Sequence, residues 1–293
     1  MQEDRINQHG DAGGDEPLQF RPMALEIIIL GSGTSTGVPM IGCECEVCHS
    51  ADPRDQRTRA SALVRYADDR DANQTRHVLI DTSPEIRLQS IRHQLQHIDA
   101  VMFTHSHADH IFGLDDLRRF NSVMQRSIDI HAEAPTLEVI RSTFRYIFDP
   151  SRNVNDSFIA SLTPRIIEAD QPLHLHGATW TPIRLMHGRL PILGFRVDQG
   201  GHALAYCTDV SSFPPQTLAQ LRGLDVLVVD ALRFRHHPTH QTVDQALSVI
   251  DHLQPKRAYL THIAHDISHA KVEPELPEHV YLACDGLVIR CGT

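Results

Sequence analysis

The sequence predicts an α/β fold in which two β-sheets pack face to face with helices on their outer surfaces, and three observations carry the prediction. Short apolar runs of strand length alternate with segments whose apolar residues recur at helical spacing. These runs form two similar halves with no linker between them, so one layered domain is expected. Strand runs also end repeatedly in a histidine or aspartate, at His105, His187, Asp209, His240 and His262. Residues at strand ends gather along one edge of a sheet sandwich although they lie far apart in the chain.

Length and composition bound the possibilities before any motif is read. The chain has 293 residues, 41% of them hydrophobic and 22% charged, with a formal net charge of −10. That length supports a substantial core. No apolar run approaches the roughly eighteen residues that a bilayer-spanning helix needs, and the N-terminus lacks a charged-then-apolar signal pattern. A cytoplasmic protein with no membrane partner is expected. The acidic balance argues against nucleic acid as the main partner, because contacts to many phosphates need net positive potential. Three of the six cysteines fall in Cys43-Glu44-Cys45-Glu46-Val47-Cys48. Thiols that close cannot staple distant parts of a fold, and inside a cell their spacing favours metal over disulfide.

Residues 1–22 are rich in Gln, Asp and Gly with almost no apolar periodicity, so a disordered extension is expected there, followed by a folded unit over 23–293. Translation can start at Met1 or at Met23. Leu25 to Leu30 reads as a strand and runs into Gly31-Ser32-Gly33-Thr34-Ser35-Thr36-Gly37-Val38-Pro39. That turn lacks the Gly-Lys-Ser/Thr ending of a P-loop and no helix pattern follows it, so its glycines are read as allowing close backbone packing. Ala60 to Tyr66 and His77 to Asp81 are strands, and Pro84 opens a helix to about Leu95. Asp99 to Phe103 is a strand and Ile111 to Met124 a helix. Ile128 to His131 is a strand and Pro135 to Tyr146 a helix, and 147–171 reads as irregular.

In the second half, Leu173 to Gly177 and Thr179 to Met186 form a strand pair ending at His187-Gly188. Ile192 to Val197 and His202 to Cys207 follow, the latter ending in Thr208-Asp209, and Asp225 to Asp230 is a fully apolar strand. Thr242 and Gln245 have capping-box spacing, and Val243, Ala246, Leu247, Ile250 and Leu253 line one face of the helix they start. Arg257 to Thr261 precedes His262 and His265, and Val280 to Ala283 and Leu287 to Arg290 finish the sheet.

The chemistry concentrates in Thr104-His105-Ser106-His107-Ala108-Asp109-His110, on a strand-to-helix loop. His105 and His107 are two apart, so in an extended segment they point the same way and can bind one ion. Asp109 and His110 come after the chain turns and can serve a second ion beside the first.

The order of these motifs resembles the metallo-β-lactamase superfamily, and within it the PhnP-type phosphodiesterases of the carbon-phosphorus lyase pathway. The likeness spans roughly residues 24–292. It is carried by Gly31 to Pro39, Cys43-x-Cys45-x-x-Cys48, Thr104 to His110, Thr208-Asp209, His240 and Leu260-Thr261-His262-Ile263-Ala264-His265. The resemblance implies an αββα four-layer sandwich with a dinuclear site along one edge. It implies that His105, His107 and His187 bind one metal, that Asp109, His110 and His262 bind the other, and that Asp209 bridges them. Two catalytic divalent ions, zinc or manganese, suit that mixture of carboxylate and imidazole. It further implies a structural zinc held by Cys43, Cys45, Cys48 and His265, a closed Cys3His set with no open position. By the same resemblance a homodimer is expected.

The activity so implied is hydrolysis of a small, cyclic phosphodiester such as a ribose cyclic phosphate, with two ions neutralising the phosphoryl oxygens and acidifying the attacking water. His240, not needed to complete either metal set, is assigned as general acid, with Asp109 and Asp209 acting through the metals. The alternatives are a tRNA 3′-end endoribonuclease of the same superfamily and a cofactor-biosynthesis hydrolase like the pyrroloquinoline-quinone accessory proteins. Asp81 and Asp230 end strands, where they either orient ligand imidazoles or act as ordinary caps. Cys207, Cys284 and Cys291 read as small packing residues, and His174, His176, His236, His237 and His269 as groups outside the ligand sets.

Overall fold

A computed structural model of the chain describes residues 25–292. The expected extension at 1–22 lies outside the described residues. Six strands build most of the first sheet: β1 (Glu26–Gly31), β2 (Ser61–Ala67), β3 (Thr75–Ile80), β4 (Ala100–Met102), β5 (Ile128–Ala132) and β6 (Leu162–Ile166). The second sheet holds β7 (Leu173–Leu175), β8 (Ala178–His187), β9 (Leu190–Gln199), β10 (His202–Cys207), β11 (Val226–Asp230), β12 (Arg257–Thr261) and β13 (Val280–Leu282). The last strand, β14 (Val288–Arg290), crosses back to pair antiparallel with β1, so the orders are β14-β1-β2-β3-β4-β5-β6 and β13-β12-β11-β10-β9-β8-β7.

Strands buried on both faces explain the near-continuous apolar runs. In β1, Ile27 and Ile29 face the second sheet while Ile28 and Leu30 pack under helices; in β11, Val226 and Val228 face inward while Leu227 and Val229 face out. The layer between the sheets centres on Trp180, Phe195, Tyr206 and Tyr66, all fully buried. Two of these rings pair their polar atoms: Trp180 Nε1 donates to the Tyr66 hydroxyl at 3.1 Å, which donates to the Leu175 carbonyl at 2.9 Å. The outer layers are Leu117, Phe120, Leu137 and Ile140 on the first sheet, and Val243, Ala246, Ile250 and Leu253 of the helix Val243–Leu253 on the second. The sandwich is therefore αββα, as expected.

Strand direction makes one edge special. β3 to β6 run parallel, as do β10 to β13, and β8 shares the direction of β10 through two antiparallel steps across β9. The C-terminal ends of β3, β4, β8, β10, β11 and β12 thus meet on one side, the usual place for a site in a sheet of this kind. The two sheets are joined at that side by the Leu193 N–H donating to the Thr104 carbonyl at 3.0 Å.

Four expectations need correction. The helix expected from Ile111 to Met124 is broken into Ala108–Ile111, a 3-10 turn at Leu114–Asp116 and Leu117–Met124. The chain must bend at Gly113, where an added Cβ would lie 2.1 Å from the Ser83 carbonyl oxygen. The helix expected from Pro84 to Leu95 spans only Ile86–Arg92. The stretch 147–171 contains β6, an edge strand whose Leu162–Ile166 is half-exposed and so lacks a clear apolar alternation. The final strand does not extend the second sheet, because Ile289 belongs to the layer between the sheets beside Leu25 and Ile27.

Candidate metal centre

The ligands predicted for the dinuclear site lie at or just beyond the ends of β4, β8, β10 and β12, and the backbone at several of these strand ends is unusual. Asp81 after β3, Asp209 after β10 and His262 after β12 all have left-handed φ, at 59°, 58° and 59°. A non-glycine residue in that region costs on the order of 1–3 kcal/mol and persists only where its surroundings hold it. Here the turn swings each side chain off the sheet edge and into one shared space.

Asp81 holds the first histidine loop. Its carboxylate accepts from the Thr104 N–H at 2.8 Å, the Thr104 hydroxyl at 2.8 Å and His110 Nδ1 at 2.7 Å, all fully buried. Thr104 Oγ1, having donated to Asp81, accepts from His105 Nδ1 at 2.9 Å. On the other sheet, His187 Nδ1 donates to the Thr239 carbonyl at 2.8 Å. Each of these rings is thereby fixed through Nδ1, and its Nε2 faces the shared space. The Nε2 atoms of His105, His110 and His262 are buried and make no hydrogen bond. Imidazole nitrogens and carboxylates crowded into one buried space without well-aligned hydrogen bonds between them fit a centre in which cations take the nitrogen lone pairs and the carboxylate charge.

The donor atoms fall into two sets. His105, His107 and His187 form one, and Asp109, His110, Asp209 and His262 form the other. Asp209 also lies in a group with His187 and His240, so its carboxylate reaches from the second set to the first. Its two oxygens are 3.3 Å from His110 Nε2 and 3.2 Å from His262 Nε2. His107 alone is exposed, on the side open to solvent. All seven residues expected at a dinuclear site are thus brought together.

The charges confirm how tightly these groups are coupled. Burial works to raise Asp209, but His262 and His110 hold its carboxyl well below the usual range; Asp109 is held down in the same way by His110. Burial works to lower His262, yet Asp209 and Asp109 push it up to about 9, and His110 stands well above its ordinary value for the same reason. His105 is driven down by burial and by His110, against the pull of Asp209.

His240 flanks the centre. Its ring stacks on His262 at 4.6 Å and meets His187 edge-on at 4.7 Å, and its Nδ1 donates to Asp230 at 2.6 Å. Burial pushes Asp230 well up and His240 down to about 3, so the surroundings disfavour the charged form of each. Asp81 and Asp230 therefore orient imidazoles and are not simple strand caps. Thr104 and Thr239 were not singled out from sequence; the first adjoins His105 and the second adjoins His240, which is the only signal they carried.

A second cluster sits next door. Cys43 Sγ and Cys45 Sγ lie 3.2 and 3.4 Å from His265 Nδ1, with Cys48 in the same group. The Cys48 N–H donates to Cys45 Sγ at 3.4 Å and pulls Cys45 down to about 6, while burial lifts Cys48 to about 11. A thiolate held by a backbone N–H is the form that binds metal. His265 reaches the cysteines because Gly33 bridges to Ile263, with Thr34 N donating to the Ile263 carbonyl at 3.2 Å and Ile263 N to the Ser32 carbonyl at 2.9 Å. Only glycine fits: a Cβ on Gly33 would lie 2.8 Å from the Arg57 carbonyl oxygen. Of the remaining cysteines, Cys207 and Cys291 are buried and Cys284 half-buried, in line with packing roles.

Among known proteins, residues 76–263 match the beta-lactamase superfamily domain. A crystal structure of a diphosphatase from the PhnP family superposes with a TM-score of 0.80 at 39% identity, covering 91% of this chain and 99% of that one. A Porphyromonas gingivalis protein named octanoyltransferase is 36% identical over 268 residues, 90% of this chain; the chain spans about half, 51%, of its length. Coenzyme PQQ synthesis protein B of Methylobacterium nodulans is 27% identical over 235 residues, covering 70% of this chain and 72% of that protein.

Proposed function

The chain belongs to the beta-lactamase superfamily as a PhnP-type member, and on that premise we propose that it is a metal-dependent phosphodiesterase acting on a small phosphodiester. The observation that carries the reading is the pair of ligand sets sharing Asp209, with His240 beside them but outside the seven. His105, His107 and His187 would hold one divalent ion, Asp109, His110 and His262 the other, and Asp209 both. When bound, two such ions supply charge neutralisation for the phosphoryl oxygens and acidify a water enough to attack at neutral pH.

The chain's own groups do the rest. Asp81, Thr104 and the Thr239 carbonyl keep the ligand imidazoles in one orientation and tautomer, so the centre does not reorganise during the reaction. An anionic substrate favours the doubly protonated ring of His240, which keeps its Nδ1 proton on Asp230 and delivers its Nε2 proton to the departing oxygen. Cys43, Cys45, Cys48 and His265 would hold a structural zinc that anchors His265, and through it the neighbouring His262. We take the hydrolase unit to include both sheets. Zinc or manganese, a homodimer and a cytoplasmic location belong to this proposal; among the described residues no helix is long and apolar enough to cross a membrane.

The octanoyltransferase name belongs to a protein of which this chain spans 51%. The test is a panel on metal-loaded protein containing a ribose cyclic phosphate, bis(4-nitrophenyl) phosphate, a thioester and a precursor tRNA. Turnover of the diesters with no cleavage of the tRNA or thioester is expected. Cleavage of the precursor tRNA at its 3′ end, or turnover of the thioester alone, would replace this reading.

A further inference from the structure

Beside His240 lies a short loop, Arg233 to Thr239, that neither metal set uses. Five consecutive residues, Arg233-Phe234-Arg235-His236-His237, supply two guanidiniums, two imidazoles and a phenyl ring with no carboxylate among them, in a chain whose net charge is −10. The loop adjoins the acid directly: the His237 ring lies 5.1 Å from that of His240. Phe234 is 47% exposed, and among the described residues its ring contacts no other ring. Arg235 and His236 are exposed beside it.

The loop is exposed and yet held. Arg233 Nε donates to the Arg235 carbonyl at 3.1 Å and its Nη2 to the His236 carbonyl at 3.3 Å. Thr239 Oγ1 is 3.1 Å from His237 Nδ1, and the Thr239 carbonyl accepts from His187 Nδ1. Gly188, at φ 62°, lets the turn after His187 close onto the loop, since a Cβ there would meet Thr239 Cγ2 at 2.9 Å. A cationic, aromatic surface fixed in place before any ligand arrives loses little entropy on binding.

We propose that Phe234 to His237 form the subsite for the leaving group, and that this leaving group is a nucleotide. The inference rests on the reading of His240 as the acid: the departing oxygen leaves on the side of the group that protonates it, and therefore against this loop. An exposed phenyl offers a stacking face for a base, and a flanking guanidinium offers a partner for phosphate and for the π-face. The substrate is then a linear diester or phosphoanhydride whose departing half is a nucleoside monophosphate. A cyclic phosphate releases no such half. The attacking water adds to phosphorus, the bond from phosphorus to the bridging oxygen breaks with its electron pair on that oxygen, and the products are two monophosphates.

Two substrates separate the subsite from the catalytic centre. Diadenosine diphosphate and the 4-nitrophenyl ester of adenosine monophosphate carry the same adenylyl group at the reacting phosphorus and differ only in what leaves. Metal-loaded wild type should favour the first relative to Phe234→Ala and Arg235→Glu proteins. In those variants the ratio of kcat/KM for diadenosine diphosphate to that for the nitrophenyl ester should fall by about 5- to 150-fold, the range for losing one stacked base. Adenosine monophosphate, titrated by calorimetry, should bind the variants more weakly by a similar factor. An unchanged ratio with unchanged binding, or no turnover of either substrate by wild type that still hydrolyses bis(4-nitrophenyl) phosphate, overturns the subsite and leaves the phosphodiesterase reading standing, whereas no turnover of any of these diesters by metal-loaded wild type overturns both.

Discussion

Replacing His240 with alanine gives the sharpest separation between an acid and a bystander. The ring is 9% exposed, bonded through Nδ1 to a fully buried Asp230 at 2.6 Å, and packed between His187 and His262, so its Nε2 has one direction available. A proton donor positioned in that way contributes about 10² to 10⁴ in rate, which is about 3 to 5.5 kcal/mol of barrier. The contribution depends on the leaving group. An alkoxide departs poorly unless it is protonated as the bond breaks, whereas a nitrophenolate departs without help. The expected result for His240→Ala is the full loss on a ribose cyclic phosphate and a loss of no more than a few-fold on bis(4-nitrophenyl) phosphate, at unchanged metal content. Asp230→Asn, which keeps the shape and removes the charge, should lose about 10- to 100-fold on the cyclic phosphate, in the range seen for partners that orient functional histidines. The assay is steady-state kinetics on both substrates alongside metal analysis of each protein. Equal losses on the two diesters, or a missing metal, would refute the reasoning and make His240 a ligand.

Further outcomes follow from the same geometry. Cys45→Ser should remove the structural zinc, one of three metals per chain, and lower the melting temperature by at least about 5 °C; a variant that melts like wild type with three metals would show that the cysteine loop is not a clamp. Asp209→Ala should lose catalytic metal and activity together, which metal analysis after gel filtration reads directly. Metal-free protein should lose stability as pH rises from 6.5 through about 9, because His262 is raised in the folded state and its stabilising interaction with Asp209 is fully present below 6.5 and gone above 9. Metal-loaded protein melted at the same two pH values should not show that loss, since a bound ion takes the place of the proton. Gly33→Ala should destabilise by about 1–3 kcal/mol in denaturant unfolding, because its Cβ would lie 2.8 Å from the Arg57 carbonyl oxygen at a backbone junction that cannot relax cheaply.

Much of this protein was legible along the chain because the controlling forces are local. Alternation in β1 and β11 follows from side chains pointing to opposite faces of a strand buried on both. The capping box of Thr242 and Gln245 is a contact across one helical turn, and both of its hydrogen bonds form, at 2.9 and 3.2 Å. His105 and His107 converge because they are two apart in an extended segment, and their rings lie 4.5 Å from each other. The cysteine trio is likewise close because the chain between them is short. Tertiary structure alone decided the rest. Nothing near Asp81, Asp209 or His262 announces a left-handed φ; their side chains are held by residues distant in the chain, such as His110, 29 positions on, at Asp81. The partner of the cysteines, His265, lies 222 positions from Cys43 and arrives only because Gly33 admits the Ile263 backbone. β6 escaped notice because an edge strand half in solvent carries no strong alternation, and β14 joined the first sheet because Ile289 is buried there. Which nitrogen of His110 and His187 faces the centre was settled by acceptors far away in the chain, Asp81 and the Thr239 carbonyl, since a histidine offers two equivalent-looking donors until one of them is bonded.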